Sequence, residues 1–433
     1  MDKLKDVFTT LRQFSVFLLT GTVLALILAN AAPETYKALV YTVLIPDSNP
    51  IIHALTHGKP FDMYFIVNEL FMVFFFGIAM KEVSESFLPG GALSSAKKAA
   101  MPVIATIGGV TGPIAMFFLL HAIFNPAPDA PGGVGIISAW AVPTATDIAY
   151  AWLFAQIVFG RFHPGVTFLL VLAVLDDLIG MMIIAIFYSS DVKPAYLGFV
   201  AAAMIICEVM RRMGVKSFWP YILIGTPLSW YGLHVCGVHA ALALVPVIPF
   251  MPHAERDAGL FVDDKNHDGH HGTDTMKGFE HFFKPLVDVG MFTFGLANAG
   301  VILSGESLSG SPTWIIFVSL MVGKTLGVTL FAFLASKAGL SLPKPMNFKQ
   351  VVVLGCVAGI GFTVALFVTG VALKTGTAEL QAYYDSHHIA DMLKLGALMS
   401  FFSGFAAIGL GKVLGVKKLN TQEELDAAVA AAS

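Results

Sequence analysis

The chain alternates long apolar stretches with short polar connections. Each residue of a helix adds about 1.5 Å, so a stretch of about 20 apolar residues is long enough to cross a bilayer. The pattern predicts an all-α polytopic membrane protein with about twelve transmembrane helices. The predicted spans cover residues 14–32, 62–87, 99–124, 135–158, 164–188, 195–212, 219–234, 238–251, 282–304, 313–337, 349–373 and 392–415.

The fifth predicted span contains two adjacent carboxylates, Asp176 and Asp177, in a run (residues 171–186) that is otherwise free of charge. A carboxylate at mid-bilayer depth costs about 2.5–3.5 kcal/mol on insertion scales, so an acid at this position indicates a functional site. Neighbouring side chains on a helix point about 100° apart. We therefore expect the two carboxylates to have different partners.

The fourth predicted span is interrupted by Pro143, Thr144, Thr146 and Asp147 in the middle of apolar sequence. Pro143 removes a backbone donor and favours an unwound segment. Unwound backbone is tolerated in a membrane only where it is buried or lines a cavity, and its oxygens, with the hydroxyls and the carboxylate, are hard ligands that suit a small cation. The alternative is a proline-kinked helix whose threonines bond to their own turn.

The eleventh predicted span contains Gly359 and Gly361, followed by Thr363. Glycines at small-residue spacing are also typical of close helix packing. A second interruption so far along the chain favours an inverted-repeat transporter, in which two discontinuous helices (the fourth and the eleventh) cross near the midplane of the bilayer. Residues 99–190 and 313–415 are the two repeats in this interpretation.

The tenth predicted span contains a cation, Lys324, about eleven residues from either end and too deep for its amino group to reach the interface. The lysine needs an acid, and Asp147, Asp176 and Asp177 are the candidates. Burial opposes both charged forms while the opposite charge favours them, so such a pair is poised to exchange a proton when a competing cation binds. A purely structural buried ion pair is the alternative.

Composition agrees with a polytopic membrane protein, because 56% of the residues are hydrophobic and 13% are charged. The net charge of −3 lacks the basic excess that neutralises phosphates, so no nucleic-acid partner is expected. Cys207, Cys236 and Cys356 lie far apart in apolar runs and predict neither a disulfide framework nor a zinc site. The sequence predicts no cofactor and no catalytic residue.

Lysines and arginines cluster on one side of the predicted spans, which places both termini in the cytoplasm. We interpret the first apolar run as a retained span and not as a cleaved signal peptide. The segment 253–277 carries four histidines; a solvated loop is the simpler interpretation and metal binding the alternative. Thr421 and Glu424 have capping-box spacing before an alanine-rich run, which predicts a short surface helix.

Six segments resemble the NhaA-type sodium/proton antiporters. They occur in the order typical of that family, and the similarity extends over about residues 10–415. An inverted repeat with discontinuous helices is itself a property of this family, so the repeat inferred above is not independent support for the resemblance. The segments are Val142–Ala149 (VPTATDIA), Leu175–Leu178 (LDDL), Gly237–Ala240 (GVHA), Ala297–Gly300 (ANAG), Gly323–Lys324 (GK) and Gly359–Thr363 (GIGFT).

The resemblance implies a bacterial inner-membrane protein that exchanges sodium or lithium for protons electrogenically. It implies that Asp177 is the principal ion-binding carboxylate and that Asp176 pairs with Lys324. The transported Na⁺ or Li⁺ is then the only metal expected, with both aspartates as its ligands. Thr146 and Asp147 match residues of the broken helix that lie beside the ion and offset helix-end dipoles.

The resemblance also implies a pH response and a homodimer. Residues 45–61 lie where the periplasmic dimer hairpin of the family would be. The family motif Gly-Leu-Glu-x-Lys reads Gly77–Lys81 (GIAMK) here, so Ala79 replaces an acid associated with pH control and leaves the pH set-point open. The residues that match pH-response positions are His239, Glu280, His281 and Glu82.

These predictions divide the chain into helices 1–2 with the hairpin, a first core repeat, a linking part with helices 6–9 and the histidine-rich loop, a second core repeat and a cytoplasmic tail. A sodium-coupled solute symporter or a cation channel is the alternative function, because broken helices and oxygen ligands serve those too. An intramembrane aspartyl protease needs two aspartates that share a proton, which a buried lysine would disturb. The five parts of the chain named above, from helices 1–2 to the cytoplasmic tail, cover residues 1–98, 99–190, 191–304, 313–415 and 416–433 in that order.

Overall fold

The computed structural model describes residues 16–253 and 274–431, apart from residues 47, 49–52, 54, 55, 57, 58, 90, 92, 134, 190, 375 and 376. Most of the predicted histidine-rich loop and much of the predicted dimer hairpin therefore lie outside the described residues. In the described chain, helices dominate, and the one β-type pairing is an isolated antiparallel bridge between Ile45 and Phe61. Two compact units are formed, Met1–Ser94 with Met181–Gly300 and Ser95–Gly180 with Val301–Ser433.

Helices occupy most of the predicted spans. Among the described residues, six helices are long and apolar enough to cross a membrane, or eight spans result if each of two bent helix pairs is counted as one. In chain order the helices of nine residues or more in the described chain are α1 (Val16–Ala31), α2 (Pro33–Tyr41), α3 (Met63–Ser86), α4 (Ala96–Phe124), α5 (Ile148–Phe159), α6 (Pro164–Phe187), α7 (Leu197–Arg212), α8 (Thr226–Cys236), α9 (Thr275–Asn298), α10 (Ser311–Lys337), α11 (Phe348–Ala358), α12 (Phe362–Ala372), α13 (Ala378–Ser386), α14 (Ile389–Val413) and α15 (Gln422–Ala431).

The predicted span 238–251 does not form a helix of that length. The chain there makes two short 3-10 segments, Ala240–Leu242 and Ile248–Phe250, joined by turns. Pro246 and Pro249 explain the difference, because each lacks the N–H that an α-helix needs and its ring obstructs the preceding turn. The apolar character of this segment is retained without α-helical geometry.

The bounds of α9 also differ from the predicted span 282–304. Asp274 accepts a hydrogen bond from the backbone N–H of Lys277 (3.1 Å), so the helix is capped there and begins at Thr275. An N-cap of this kind satisfies an N–H group that has no partner in the first helical turn. The helix ends at Asn298, earlier than the end of the apolar stretch.

Glycines bring α4 and α10 of the second unit into close contact. A Cβ atom on Gly108 would lie 2.2 Å from the carbonyl oxygen of Gly327, and one on Gly112 would lie 2.4 Å from that of Gly323. Neither position has room for a side chain. Small residues let membrane helices pack with their backbones in contact, and this packing holds Lys324 beside α4.

The tail of the chain is attached to the connection between α5 and α6. Leu419 donates its backbone N–H to the carbonyl oxygen of Phe159 (2.8 Å) and accepts the backbone N–H of Phe162 (3.0 Å). Further on, the backbone N–H of Glu424 donates to Thr421 Oγ1 (3.2 Å), and the Glu424 carboxylate accepts the N–H of Thr421 (3.3 Å). This reciprocal cap precedes α15, so the predicted surface helix is confirmed.

Candidate ion-binding site

The first break in the second unit separates a 3-10 turn from α5. The turn covers Val142–Thr144, with Pro143 as its second residue, and is followed by extended backbone at Ala145. Asp147 then caps α5, since its side chain accepts the backbone N–H of Tyr150 (3.3 Å). The helical segments on the two sides of the break are bent by 45°. Proline removes the hydrogen bond that would have continued the helix, and the carboxylate restarts it.

The second break separates α11 from α12, which are bent by 49°. Gly359 ends α11 and Gly361 precedes α12. A Cβ on Gly359 would lie 2.7 Å from the carbonyl oxygen of Leu320, and one on Gly361 would lie 2.7 Å from Leu320 Cδ2. The backbone of α10 therefore excludes a side chain at Gly359, whereas a side chain at Gly361 would require Leu320 to move.

The two breaks are bonded directly to each other. The backbone N–H of Asp147 donates to the carbonyl oxygen of Ile360 (2.6 Å). Its carboxylate accepts both the backbone N–H of Thr363 (3.2 Å) and the Thr363 hydroxyl. Asp147 thus lies at the N-termini of α5 and α12 together. Each N-terminus carries about half a positive charge, which the carboxylate offsets.

Asp176 and Lys324 form a fully buried ion pair beside the first break. Lys324 Nζ lies 2.8 Å from Asp176 Oδ2, and neither side chain is exposed. The amino group also donates to the carbonyl oxygen of Thr144 (2.6 Å), and Thr146 Oγ1 donates to the same Asp176 oxygen (2.7 Å). Among the three acids considered from the sequence, the structure places Asp176 on the lysine. The amino group also meets the C-terminal end of the 3-10 turn, where helix carbonyls carry partial negative charge.

Asp177 is the more accessible of the adjacent carboxylates, 8% exposed against 2% for Asp176. Both lie on α6 within the second unit, with side chains on different faces because successive residues turn by about 100°. Within the described part of the chain, no three His, Cys, Asp or Glu side chains come together as a metal-binding group. A cation at this site would therefore depend on one or two carboxylates together with hydroxyl and carbonyl oxygens.

Two groups of the site were missed in the sequence. Ser400 Oγ lies 3.1 Å from the backbone nitrogen of Gly361 and 3.2 Å from that of Phe362, and it accepts hydrogen bonds from both. It donates in turn to the carbonyl oxygen of Ala397 (2.6 Å). The second missed group is the carbonyl oxygen of Ala358, 3.1 Å from Thr146 Oγ1. A hydroxyl in the apolar span 392–415 was the available signal for the serine, and nothing in the sequence marks the carbonyl.

The pH-response candidates lie in the first unit. Lys81 pairs with Glu280 and with Glu85 (2.6 Å to Oε2), and Lys284 pairs with Glu280 (3.0 Å). Glu82, on the same turn of α3, is half-buried, whereas His281 is exposed.

A separate cluster of the first unit surrounds His239. Its Nδ1 accepts the backbone N–H of Ala241 (3.3 Å) and lies 3.8 Å from Glu69 Oε2. Glu69 also pairs with Lys59 (3.2 Å). Glu69 is buried, and the sequence analysis did not single it out. The sequence-derived pH-response residues therefore belong to two charge clusters and one exposed position.

Comparison with known proteins assigns the family. Residues 5–409 match the family model described as Na⁺/H⁺ antiporter 1. The Na⁺/H⁺ antiporter NhaA of Desulfitobacterium hafniense (strain DSM 10664 / DCB-2) is 42% identical over 423 residues, which cover 97% of this chain and 99% of that protein. The antiporter NhaA of Geobacter sulfurreducens is 42% identical over 94% of this chain and 98% of its own length. The chain therefore belongs to the Na⁺/H⁺ antiporter 1 family, a family of membrane transporters.

Proposed function

We propose that the chain is a secondary active antiporter that exports Na⁺, or Li⁺, in exchange for protons. The relatives described above are named as Na⁺/H⁺ antiporters over nearly their whole length. The observation that supports the proposal within the structure is the buried Asp176–Lys324 pair beside two broken, mutually bonded helices. Intramembrane charges of this kind mark ion pathways.

The exchange follows from competition for the same carboxylates. Asp177 is the principal Na⁺ ligand in this proposal, because it is more accessible than Asp176 (8% against 2% exposed), whose carboxylate is bonded to Lys324. Hydroxyl and carbonyl oxygens of the first break, those of Thr144 and Thr146 among them, complete the hard-oxygen environment that Na⁺ prefers. Protons and Na⁺ displace one another there, so the site carries one kind of cargo at a time, and alternating access turns this displacement into exchange.

Lys324 couples the Asp176–Lys324 ion pair to the transported ions. When Na⁺ binds beside Asp176, the carboxylate is neutralised by the ion and Lys324 releases its proton. Together with the proton that Na⁺ displaces from Asp177, two protons then leave for one sodium ion, which makes the exchange electrogenic. Asp147 has a different task. Its carboxylate offsets the partial positive charges at the N-termini of α5 and α12. The amino group of Lys324 offsets the partial negative charge at the carbonyl end of the 3-10 turn, at Thr144.

The fold that we propose has about twelve spans with an inverted repeat, as in the transporters that bind their cargo at broken helices. Residues 99–190 and 313–415 are the two core repeats; α5 and α12 then belong to equivalent discontinuous spans. Residues 1–98 and 191–304 form the interface part and the link between repeats. Support comes from the two bent pairs and from their bonds to each other.

Location, assembly and regulation are further parts of the proposal. We place the chain in a bacterial inner membrane with both termini and residues 416–433 in the cytoplasm, following the distribution of lysine and arginine. It forms a homodimer through the region of residues 45–61, whose ends pair at Ile45 and Phe61. The clusters around Glu280 and His239 adjust activity to pH, with a set-point altered by Ala79.

The experiment measures proton movement in everted membrane vesicles with a pH-sensitive dye. NaCl, LiCl or KCl is added over about pH 6.5–9, a range that brackets histidine titration. We expect Na⁺ and Li⁺ to trigger proton release, Asp177→Asn to abolish it, and Asp385→Asn, which alters an exposed acid of α13, to leave it unchanged. Normal rate and affinity in Asp177→Asn would refute the site. Sodium-dependent solute uptake without proton movement would indicate a symporter instead.

A further inference from the structure

The long helix α14 changes its hydrogen-bonding pattern at Ser400 and Phe401. The backbone N–H of Ser400 bonds to the carbonyl oxygen of Ala397 (3.2 Å), three residues back, whereas α-helical bonds reach four residues back. Ser400 has φ −58 and ψ −22, values typical of 3-10 geometry. The regular α-helical segments Ile389–Met399 and Phe402–Val413 lie on either side. A short 3-10 stretch inside a long helix is typical of a functional or strained position.

The hydroxyl of Ser400 lies at the start of α12. Its oxygen accepts the backbone N–H groups of Gly361 (3.1 Å) and Phe362 (3.2 Å), and the whole residue is buried. The next N–H, that of Thr363, donates to the carboxylate of Asp147 (3.2 Å). The first N–H groups of a helix have no partner within the helix. A neutral hydroxyl on α14 and a carboxylate before α5 therefore share the N-terminus of α12.

The aromatic ring of Phe401 contacts the first turns of both broken-helix segments. Its centroid lies 5.9 Å from the ring of Phe362 on α12 and 5.3 Å from the ring of Tyr150 on α5. Tyr150 meets both of these rings edge to face, an arrangement that stabilises aromatic pairs beyond the area they bury. The 3-10 turn of α14 thus supports the start of α12 by hydrogen bonds and the starts of α5 and α12 by packing.

Contacts lead from the second break to the carboxylates of the candidate ion-binding site. The carbonyl oxygen of Ala358 lies 3.1 Å from Thr146 Oγ1, which donates to Asp176 (2.7 Å). The carbonyl oxygen of Ile360 accepts the backbone N–H of Asp147 (2.6 Å). A shift of the second break would therefore move a hydroxyl that is bonded to the carboxylate of the lysine pair. The attachment of α12 to α14 is part of what holds that hydroxyl in place.

We propose that Ser400 is a positioning residue of the transport site, which sets the affinity for Na⁺ through the N-terminus of α12. The N–H groups that it accepts carry the partial positive charge of that N-terminus. Without the hydroxyl oxygen, this charge would be unopposed and would disfavour a cation, and the second break would lose its polar attachment to α14. Ser400 acts through α12 and is not a ligand of the ion. The inference rests on the proposed function, because it assigns the residue to Na⁺ binding.

Two serines of α14 give a matched pair of variants. Ser400→Ala removes the shared acceptor, whereas Ser403→Ala changes an equally buried serine whose hydroxyl has no hydrogen-bond partner in the described part of the chain. In the vesicle assay we expect Ser400→Ala to raise the KM for Na⁺ about tenfold, as the loss of one or two hydrogen bonds would, with kcat changed less than about twofold. Ser403→Ala should leave both constants unchanged. Equal KM values in the two variants, or a lower kcat at unchanged KM in Ser400→Ala, overturn the inference.

Binding of Na⁺ to the purified protein tests the affinity without transport. A bound ion raises the unfolding temperature, and the Na⁺ concentration that gives half of this rise should be about tenfold higher in Ser400→Ala. Ser400→Thr keeps the hydroxyl and should stay within about threefold of the unchanged chain; threonine as weak as alanine overturns the inference. If Ser400→Ala does not fold, Ser400→Cys, whose sulfur is a weak acceptor, replaces it with the same expected direction. Na⁺ binding without exchange in the unchanged chain would instead refute the proposed function.

Discussion

Asp147 and Thr363 are joined by two hydrogen bonds, one from the backbone N–H of Thr363 (3.2 Å) and one from its hydroxyl, although 216 residues separate them in the chain. A single carboxylate thus fixes the start of α12 against the start of α5. Thr363→Val keeps the branched shape and removes the hydroxyl. We expect it to lower the free energy of unfolding by about 1.5–3 kcal/mol, the range for a hydrogen bond to a charged group.

Thermal unfolding of the purified protein in detergent measures this change. Thr363→Ser keeps the hydroxyl and serves as the matched control, with a much smaller expected loss. If serine were as damaging as valine, the hydroxyl bond would not be the stabilising contact.

The Asp176–Lys324 pair allows a test by single and double substitution. Lys324→Met leaves a buried carboxylate without its counter-charge, which we expect to cost about 3–5 kcal/mol of stability. Asp176→Leu leaves the buried amino group of Lys324 without its counter-charge, and we expect a similar loss of stability. Replacing both residues together removes both buried charges, so the double variant should be more stable than either single variant while exchange is lost in all three.

Stability is measured by thermal unfolding and exchange by dye fluorescence in vesicles. Additive losses of stability in the double variant would show that the two charges do not compensate each other. Retained exchange in the double variant would separate the lysine pair from transport.

The attachment of the tail can be tested at Gly160. This residue has φ +84, and a Cβ there would lie 2.5 Å from the carbonyl oxygen of Leu419, which is itself only 7% exposed. Gly214 has φ +74 with no atom within 4 Å of an added Cβ. Alanine at a positive φ adds about 1–3 kcal/mol of backbone strain, and more at Gly160, whose φ of 84 and ψ of 158 only glycine adopts readily. Gly160→Ala also displaces the tail.

We therefore expect Gly160→Ala to lower the unfolding temperature more than Gly214→Ala, and to make the tail more susceptible to limited proteolysis. Equal effects of the two substitutions would indicate that the contact with Leu419 adds nothing to stability.

His163 lies between α5 and α6, and we expect its protonation to destabilise the protein in acid. Burial lowers the pKa of its imidazole to about 4, from an ordinary 6.5. Its Nδ1 accepts the backbone N–H of Gly165 (2.9 Å), and its Nε2 lies 3.0 Å from the amide nitrogen of Gln350. The folded protein therefore holds the neutral ring, whereas the unfolded chain takes up a proton near pH 6.5. The contribution of the neutral ring to the free energy of unfolding is fully present above pH 6.5, and it declines as the pH falls from 6.5 towards 4.

Unfolding at pH 8 and at pH 5 measures this dependence, with His163→Gln as the variant that lacks the titrating group. Between these pH values the unchanged protein should lose about 2 kcal/mol more than the variant. The same loss in both proteins would assign the acid sensitivity to other groups.

Local pattern was sufficient to locate the polar positions of the candidate site. Pro143, Asp147, Asp176 and Lys324 stand out because each is costly in an apolar stretch, a cost that depends only on the residue and its neighbours in sequence. The capping box at Thr421 was predictable for the same reason, since its bonds join residues three positions apart.

Local pattern failed where the decisive contact was distant or where two local signals conflicted. The apolar segment 238–251 reads as a span, but Pro246 and Pro249 leave it in short turns. In the sequence, Ser400 is a single hydroxyl within an apolar span. In the structure, α12 begins beside it. The serine's acceptor role has no signature in neighbouring residues.

The sequence by itself determined the helical, membrane-spanning class of the protein and the short set of charged residues that its spans retain. The residue pattern alone left three acids as possible partners of Lys324, and only the family resemblance favoured Asp176. The tertiary structure decided that Asp176 holds Lys324 and that Asp147 joins two helix N-termini. The physical reason is range. Hydrophobic periodicity and insertion cost act along neighbouring residues, whereas the choice among three carboxylates depends on how α4, α6 and α10 pack. Glycine contacts between residues far apart in the chain bring α4 and α10 together.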